Sequence, residues 1–268
     1  MNLQVILIYI ITGLLLQFLA SKFPFRKLEQ PREYKWDIAS VLGATLFSAL
    51  FWMLLGTPLI IFFLDMPWIS SLQPDISAIP PILIGLIQLL FTDFLFYWAH
   101  RLLHTQLFWH AHAWHHAPKH LWWLAGLRAS PLHVVLMGLP LVISYLAFPT
   151  AQGGTMIVIL IIIRVLNQHW IHSNVRFPFE RQLEWIFVTP RVHFVHHHVE
   201  RRFSDKNFGF IFSFWDRLFG TFVHPDVVQG EKLGLNYKNT NLRLLLGVPP
   251  KNKKIQEKSD SAFKDAQS

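Results

Sequence analysis

The chain has 268 residues, of which 52% are hydrophobic and only 15% charged. A soluble domain carries about 25% charged residues, so a membrane protein is indicated before any motif is read. The formal charge of +8 then reads as membrane topology rather than as a nucleic-acid footprint. The absence of cysteine excludes thiolate zinc sites, cysteine-held iron–sulfur clusters and disulfides.

Five apolar stretches follow one another, each near the roughly 20 helical residues that cross a hydrocarbon core. The first is Leu3–Ala20; no basic residue precedes it, so it is expected to stay as an anchor rather than be cleaved. The second lies in Ile38–Leu64 and is expected to be broken by Pro58. The third is Pro80–Ala99, the fourth the short Leu132–Phe148, and the fifth Thr155–Ile171. The fourth and fifth are expected to form a hairpin across the short polar gap Pro149–Gly154. Trp109, Trp114, Trp122 and Trp123 follow the third stretch and are expected in the headgroup layer. The mixed-charge segment Lys251–Ser268 is expected to be disordered.

Charge orients this chain. Lys22, Arg26, Lys27, Arg32 and Lys35 follow the first stretch, whereas Asp65–Ile79 and Pro149–Gly154 hold no Lys or Arg, and everything after the fifth stretch is basic. By the positive-inside rule the N-terminus lies outside and the long C-terminal portion in the cytoplasm. Arg164, inside the fifth stretch, is expected to face the bundle interior.

Histidine carries the chemistry. The first 99 residues hold none, eight lie between His100 and His133, six between His169 and His198, and the last is His224. His100 and His104 are four apart; His112, His115 and His116 follow an i, i+3, i+4 pattern, which His193, His196 and His197 repeat. Such spacings put side chains on one helix face. With His172 at the end of the fifth stretch, nine imidazoles converge on one membrane side. A tetrahedral zinc takes four ligands, so nine are too many for one ion and about right for two. His110, His120, His133, His198 and His224 fall outside the pattern; His169 stands three residues before His172. A zinc protease helix would need a glutamate within H-E-x-x-H, and His100-Arg101-Leu102-Leu103-His104 has none. A carboxylate di-iron bundle would need Glu-x-x-His pairs, which Glu180, Glu184 and Glu200 do not supply.

These residues resemble the fatty acid hydroxylase / sterol desaturase superfamily of integral-membrane di-iron enzymes. Asp93, Tyr97, His100, Arg101 and His104 match its first motif; His112, His115 and His116 its second; His172 its middle histidine. Thr189, Pro190, His193, His196 and His197 match its third motif, and Asn207-Phe208-Gly209 with Trp215–Thr221 its closing segment. Two positions depart from the pattern. Arg128–His133 carries Ser130 and His133 where the family often has histidine and glutamate, and Gln168 stands where some members have a further ligand. His169 is the candidate replacement, with water or Asn174 as the alternatives.

The resemblance implies an all-α membrane protein with four to five transmembrane helices and a cytoplasmic helical cap. It implies two iron ions, O2 as co-substrate, and hydroxylation or desaturation of a lipid taken from the bilayer. Asp93 is expected to orient a ligand imidazole, and Asp216 to orient a ligand or buttress the last segment. No cytochrome, flavin or ferredoxin segment is visible, so an external donor of the cytochrome b5, ferredoxin or flavoprotein type is expected. The division expected is an anchor region (1–79), a catalytic domain (80–225) and a C-terminal cytoplasmic tail (226–268). The competing reading is a histidine-rich membrane metal transporter or metal-binding protein, whose ligands would lie near the bilayer midplane.

Overall fold

The computed structural model describes residues 3–27, 30–68, 78–148, 151–228 and 232–252. Among them all regular structure is helical, with isolated β-bridges such as Pro24–Val175 and Phe187–Phe212. Four helices come first: α1 (Leu3–Lys22), α2 (Tyr34–Phe51), α3 (Thr57–Leu64) and α4 (Pro81–Leu103). Next come α5 (Trp109–His116), α6 (Pro131–Leu136), α7 (Leu139–Ala147) and α8 (Ala151–Ile171). The chain closes with α9 (Glu180–Leu183), α10 (Pro190–His196), α11 (Arg201–Ser204), α12 (Phe214–Leu218) and α13 (Asn241–Leu245). The disorder expected for Lys251–Ser268 falls almost wholly outside the described residues.

Two runs are long and apolar enough to cross a membrane, Tyr34–Leu64 and Pro81–Leu103. Pro58 does not break the first. Proline removes one N–H and crowds the carbonyl four residues back, and a π turn over Trp52–Gly56 absorbs this by widening the helix one residue earlier. The Thr57 N–H bonds back to Trp52 O, and the rod runs on for 31 residues. Its apolar side chains face outward, Leu54 being 69% exposed and Leu42 66%. No soluble protein tolerates so continuous an apolar surface.

The fourth apolar stretch is not one helix. It divides at Met137–Gly138 into α6 and α7. Pro140, near the start of α7, is incompatible with a helix running on from α6. Gly138 leaves room for the Trp52 ring, which would come within 3.0 Å of an added Cβ. Together α6 and α7 make the apolar run Pro131–Ala147, shorter than either of the two long runs, and the pair packs against α4 and α8. The gap expected at Pro149–Gly154 is likewise shorter, since α8 already begins at Ala151.

The four tryptophans do not reach for headgroups. All are buried: Trp114 and Trp122 reach α2, Trp109 packs against Leu244, and Trp123 packs against α1 and His169. Trp114 Nε1 donates to Ser40 Oγ at 2.9 Å, Trp122 Nε1 to Asp37 Oδ2 at 2.9 Å, and Trp109 Nε1 to Tyr237 Oη at 3.1 Å. At α2 lies a buried ion pair: Arg128 Nε donates to Asp37 Oδ1 at 2.7 Å, and its Nη2 to Glu33 at 3.0 Å. It fastens the start of α2 to the segment leading into α6. Residues 241–245, assigned to the tail by sequence, form α13 and pack Leu244 against Trp109 and Trp114.

Asp37→Ala leaves the Arg128 guanidinium buried without its main counter-charge. The expected cost is about 3–5 kcal/mol, read as a lower unfolding midpoint of the purified protein. Asp37→Ala with Arg128→Met is expected to recover part of it. A double variant no better than the single one would assign the loss to Asp37 alone.

Candidate metal centre

Four chain segments bring the histidines together, each by ordinary local rules. His100 lies on the last turn of α4, and His104 caps that helix. His112, His115 and His116 lie on α5. His172 follows α8 directly. Thr189 caps α10, accepting from Val192 N, and Pro190 occupies the first turn, where its missing N–H costs nothing. His193 and His196 lie on α10, and His197 caps its end.

The nine form two adjoining groups, all buried. One is His100, His104, His112, His116 and His196; the other is His115, His172, His193 and His197. Within each, the candidate ligand nitrogens lie within 4.8 Å of one another. Successive helical residues point about 100° apart, so neighbours on α5 serve different groups: His112 and His116 face one, His115 the other. The groups meet where the rings of His116 and His197 stack at 4.4 Å.

The nitrogens facing outward are fixed. Nδ1 of His100 donates to Phe208 O (2.9 Å), of His196 to Lys206 O (2.8 Å), of His172 to Gln168 O (2.8 Å), of His115 to Arg128 O (3.3 Å) and of His104 to Asp205 Oδ1 (2.9 Å). An imidazole that donates from Nδ1 presents a lone pair at Nε2. In His115 and His172 those lone pairs face each other, Nε2 to Nε2 at 3.2 Å. His172 Nε2 is also 2.9 Å from His193 Nε2, itself 3.1 Å from His197 Nε2, and Nδ1 of His193 and of His197 has no hydrogen-bond partner among the described residues. In the other group, the buried Nε2 atoms of His104, His116 and His196 have no hydrogen-bond partner among the described residues. Protonation cannot resolve this. Burial and then the neighbouring imidazoles hold His104, His112, His115, His116, His193, His196 and His197 well below the ordinary histidine value. Neutral imidazoles converging on a dry point are the donor set of a transition-metal cation. Five donors in one group exceed the four of a tetrahedral zinc.

Asp93 does not touch an imidazole. Its carboxylate accepts from Ile211 N (2.9 Å), Phe212 N (3.1 Å) and Trp215 Nε1 (3.0 Å). Those donors lie closer than any ring, because the 207–213 loop crosses α4 at that level. Asp216 buttresses the same loop, accepting from Phe208 N and Gly209 N, both at 2.7 Å. The loop in turn carries Phe208 O to His100, so both carboxylates act on the imidazole through backbone.

Sequence missed Asp205, whose contact with His104 spans 101 positions; a carboxylate on a candidate ligand's Nδ1 leaves no local pattern. His133, set outside the pattern by its spacing, belongs to neither group; its Nδ1 lies 3.1 Å from His112 Nδ1. His169 lies outside both groups. Its Nδ1 is 3.1 Å from Thr12 Oγ1, and its ring packs against Tyr9 and Trp123. Gln168 donates instead to Gly126 O at 2.6 Å, and Asn174 is engaged with the backbone of Arg26. His198 and His224 accept from backbone N–H groups two residues on, and His120 donates to Gln30 O.

Gly126 is the tightest point of the site. A Cβ there would lie 2.2 Å from the His172 ring. Gly126→Ala is therefore expected to push His172 away from His115 and to lower metal content by about one ion per chain, with the five-histidine group retained. Elemental analysis beside the unsubstituted protein checks this; unchanged content would mean that His172 is not a ligand.

The fatty acid hydroxylase family model matches residues 85–221, the span that holds every histidine of both groups. The lathosterol oxidase of Mus musculus is 32% identical over 184 residues, covering 64% of this chain and 57% of that protein. The alkylglycerol monooxygenase of Homo sapiens is 32% identical over 131 residues, covering 48% of this chain and 28% of that protein. The ornithine lipid hydroxylase of Rhizobium tropici is 29% identical over 163 residues, covering 56% and 45%. The chain thus spans less than two thirds of the length of these relatives. No solved structure matches it. Matched over half its length and carrying the histidine motifs in order, the chain belongs to the fatty acid hydroxylase family.

Proposed function

We propose that this protein is an O2-dependent oxidoreductase of membrane lipids, with two iron ions held by the two histidine groups. The carrying observation is the convergence of proton-free imidazole nitrogens in two adjoining buried groups. The family adds the class of chemistry. The relatives named above are an oxidase, a monooxygenase and a hydroxylase, and their names refer to lathosterol, alkylglycerol and ornithine lipid. Three substrates under one class of reaction support lipid oxidation and leave the particular lipid open. None of the three is a transporter.

Bound iron would supply what no side chain here can, the reduction of O2 and the removal of hydrogen from an unactivated carbon. The chain's part is to bind, orient and keep dry. Ligand roles fall to His100, His104, His112, His116 and His196 for one ion, and to His115, His172, His193 and His197 for the other. Backbone carbonyls and Asp205 hold the imidazole tautomers. The rings of Trp109 and Phe208 wall His104 at 5.3 and 5.1 Å. Arg201 closes that side, stacking 3.9 Å above Trp109 and donating to His104 O at 2.9 Å. A separate redox protein supplies the electrons.

The purified protein is expected to hold about two irons per chain. Alanine at any of the nine is expected to abolish lipid oxidation, and at His198 or His224 to leave most of it. Asp205→Asn is expected to lose about 10–100-fold in metal affinity or activity, as for other groups that hold a ligand from behind. Iron content and lipid products of cells carrying each variant decide this; full activity in two of the nine variants would overturn the ligand assignment.

The basic loops support a topology with the N-terminus outside and both histidine groups toward the cytoplasm. With no native cysteine, single cysteines at Lys22, Arg202 and Lys251 can be labelled without background. All three are expected to react from the cytoplasmic side. Reaction of any two from opposite sides would break this topology.

A further inference from the structure

A second site lies beside the histidine groups. A cavity of about 240 Å³ opens between the C-terminal end of α1, the segment after it, and the Trp122–Trp123 turn. Arg26, Lys27 and Arg32 line it, and among the described residues no aspartate or glutamate does. Three cations lining one small cavity favour an anionic ligand there. Two are held in place. The Arg26 backbone is clamped by Asn174, which accepts from its N–H at 3.1 Å and donates to its carbonyl at 2.6 Å. The Arg32 guanidinium stacks 5.1 Å from the Trp122 ring and donates from Nη1 to Tyr34 Oη at 3.0 Å. Its Nε is buried, and among the described residues nothing accepts from it.

Leu16, Ala20 and Trp123 add apolar lining beside Gln17 and Ser21; Leu16 and Ala20 belong to α1, whose neighbouring Leu15 and Phe18 are 54% and 59% exposed. A ligand here meets positive charge at one end and a lipid-facing helix at the other. The volume lies below the roughly 300–1,000 Å³ of pockets that enclose a whole ligand, so the cavity takes a headgroup and leaves the chains in the bilayer. Basic pockets between membrane helices on the cytoplasmic side bind anionic headgroups in this way.

We propose that this cavity binds the headgroup phosphate of an anionic membrane lipid, with Arg26, Lys27 and Arg32 on the phosphate and the acyl chains along α1. The proposal rests on the embedding of α1 in the bilayer and is independent of iron. A bound lipid there braces the contact between α1 and the α8 end, where His172 follows. Gly13 of α1 packs so closely on Trp123 that an added Cβ would lie 2.5 Å from the ring.

The test is native mass spectrometry of the full chain purified in detergent, offered phosphatidylglycerol, phosphatidylcholine or inorganic phosphate. Phosphatidylglycerol is expected to be retained over phosphatidylcholine. Lys27→Gln with Arg32→Gln is expected to lose roughly 30-fold of that retention, about fivefold for each basic residue at a membrane surface. Arg32→Lys keeps the charge and is expected to keep most of it, as is Arg202→Gln, which lies outside the cavity. Iron content of the double variant reports folding; should it fall, the comparison of the two lipids on the unsubstituted protein still decides. Equal retention of both lipids, retention undiminished in the folded double variant, an equal loss in Arg202→Gln, or displacement of the lipid by millimolar phosphate would each overturn the proposal.

Discussion

The structure depends on one electrostatic constraint: imidazole lone pairs that face one another in a dry interior. His115 and His172 each spend their one proton on a backbone carbonyl, so nothing lies between their Nε2 atoms, 3.2 Å apart, to bind them. Left alone, that contact repels. It is tolerable where a cation sits among the nitrogens, and the surroundings exist to keep the rings in that arrangement. Asp93 and Asp216 hold the 207–213 loop through five backbone and indole N–H groups. The loop holds a carbonyl, and the carbonyl holds His100. Each link is an ordinary hydrogen bond of about 0.5–1.5 kcal/mol net, and the chain of them fixes which nitrogen carries the proton.

What sequence could reveal was set by distance along the chain. The i, i+3, i+4 spacings on α5 and α10 and the four-residue spacing at the end of α4 were legible, because a helix turns local spacing into shared direction. All nine expected residues fall within the two groups. The partition was not legible: α5 gives two imidazoles to the first group and one to the second, and α10 does the reverse. That depends on how the helices are rotated against one another. Asp205 was invisible for the same reason, since it meets His104 only through the fold.

The departures from the family pattern have physical causes once the neighbours are known. Ser130 has a structural duty, beside Arg128, which the pattern retains. The arginine pairs with Asp37, and the serine caps α6 by accepting from His133 N while donating to Ala111 O. His169 was a reasonable substitute ligand by spacing, yet the ring faces α1, because one position along a helix is a rotation of about 100°. Similar reasoning fails for apolar stretches. Residues 132–148 form an apolar run, but hydropathy does not register that it divides at Met137–Gly138, just before Pro140. Pro58 misled in the opposite sense, since a π turn accommodates it.

The location of the histidine groups follows from where irregular backbone can exist. The carbonyls of Phe208, Lys206 and Arg128 that receive Nδ1 protons belong to loops and turns, and that of Gln168 to the last turn of α8, where helix carbonyls lack an intrahelical partner. Within lipid, every backbone N–H and C=O must be satisfied by its own helix, so no carbonyl is free to receive an imidazole and no loop can run there exposed. A site needing several free carbonyls therefore forms beyond the ends of spanning helices, where short helices such as α5 and α10 end often and release them. The same requirement separates this architecture from a midplane transport site, whose unwound helices must be sheltered by protein on every side. Here α4 contributes histidine only at its last turn and cap, and α8 is followed by His172 one residue after it ends. Apolar outward-facing surface and histidine-bearing surface are thus separated along each helix.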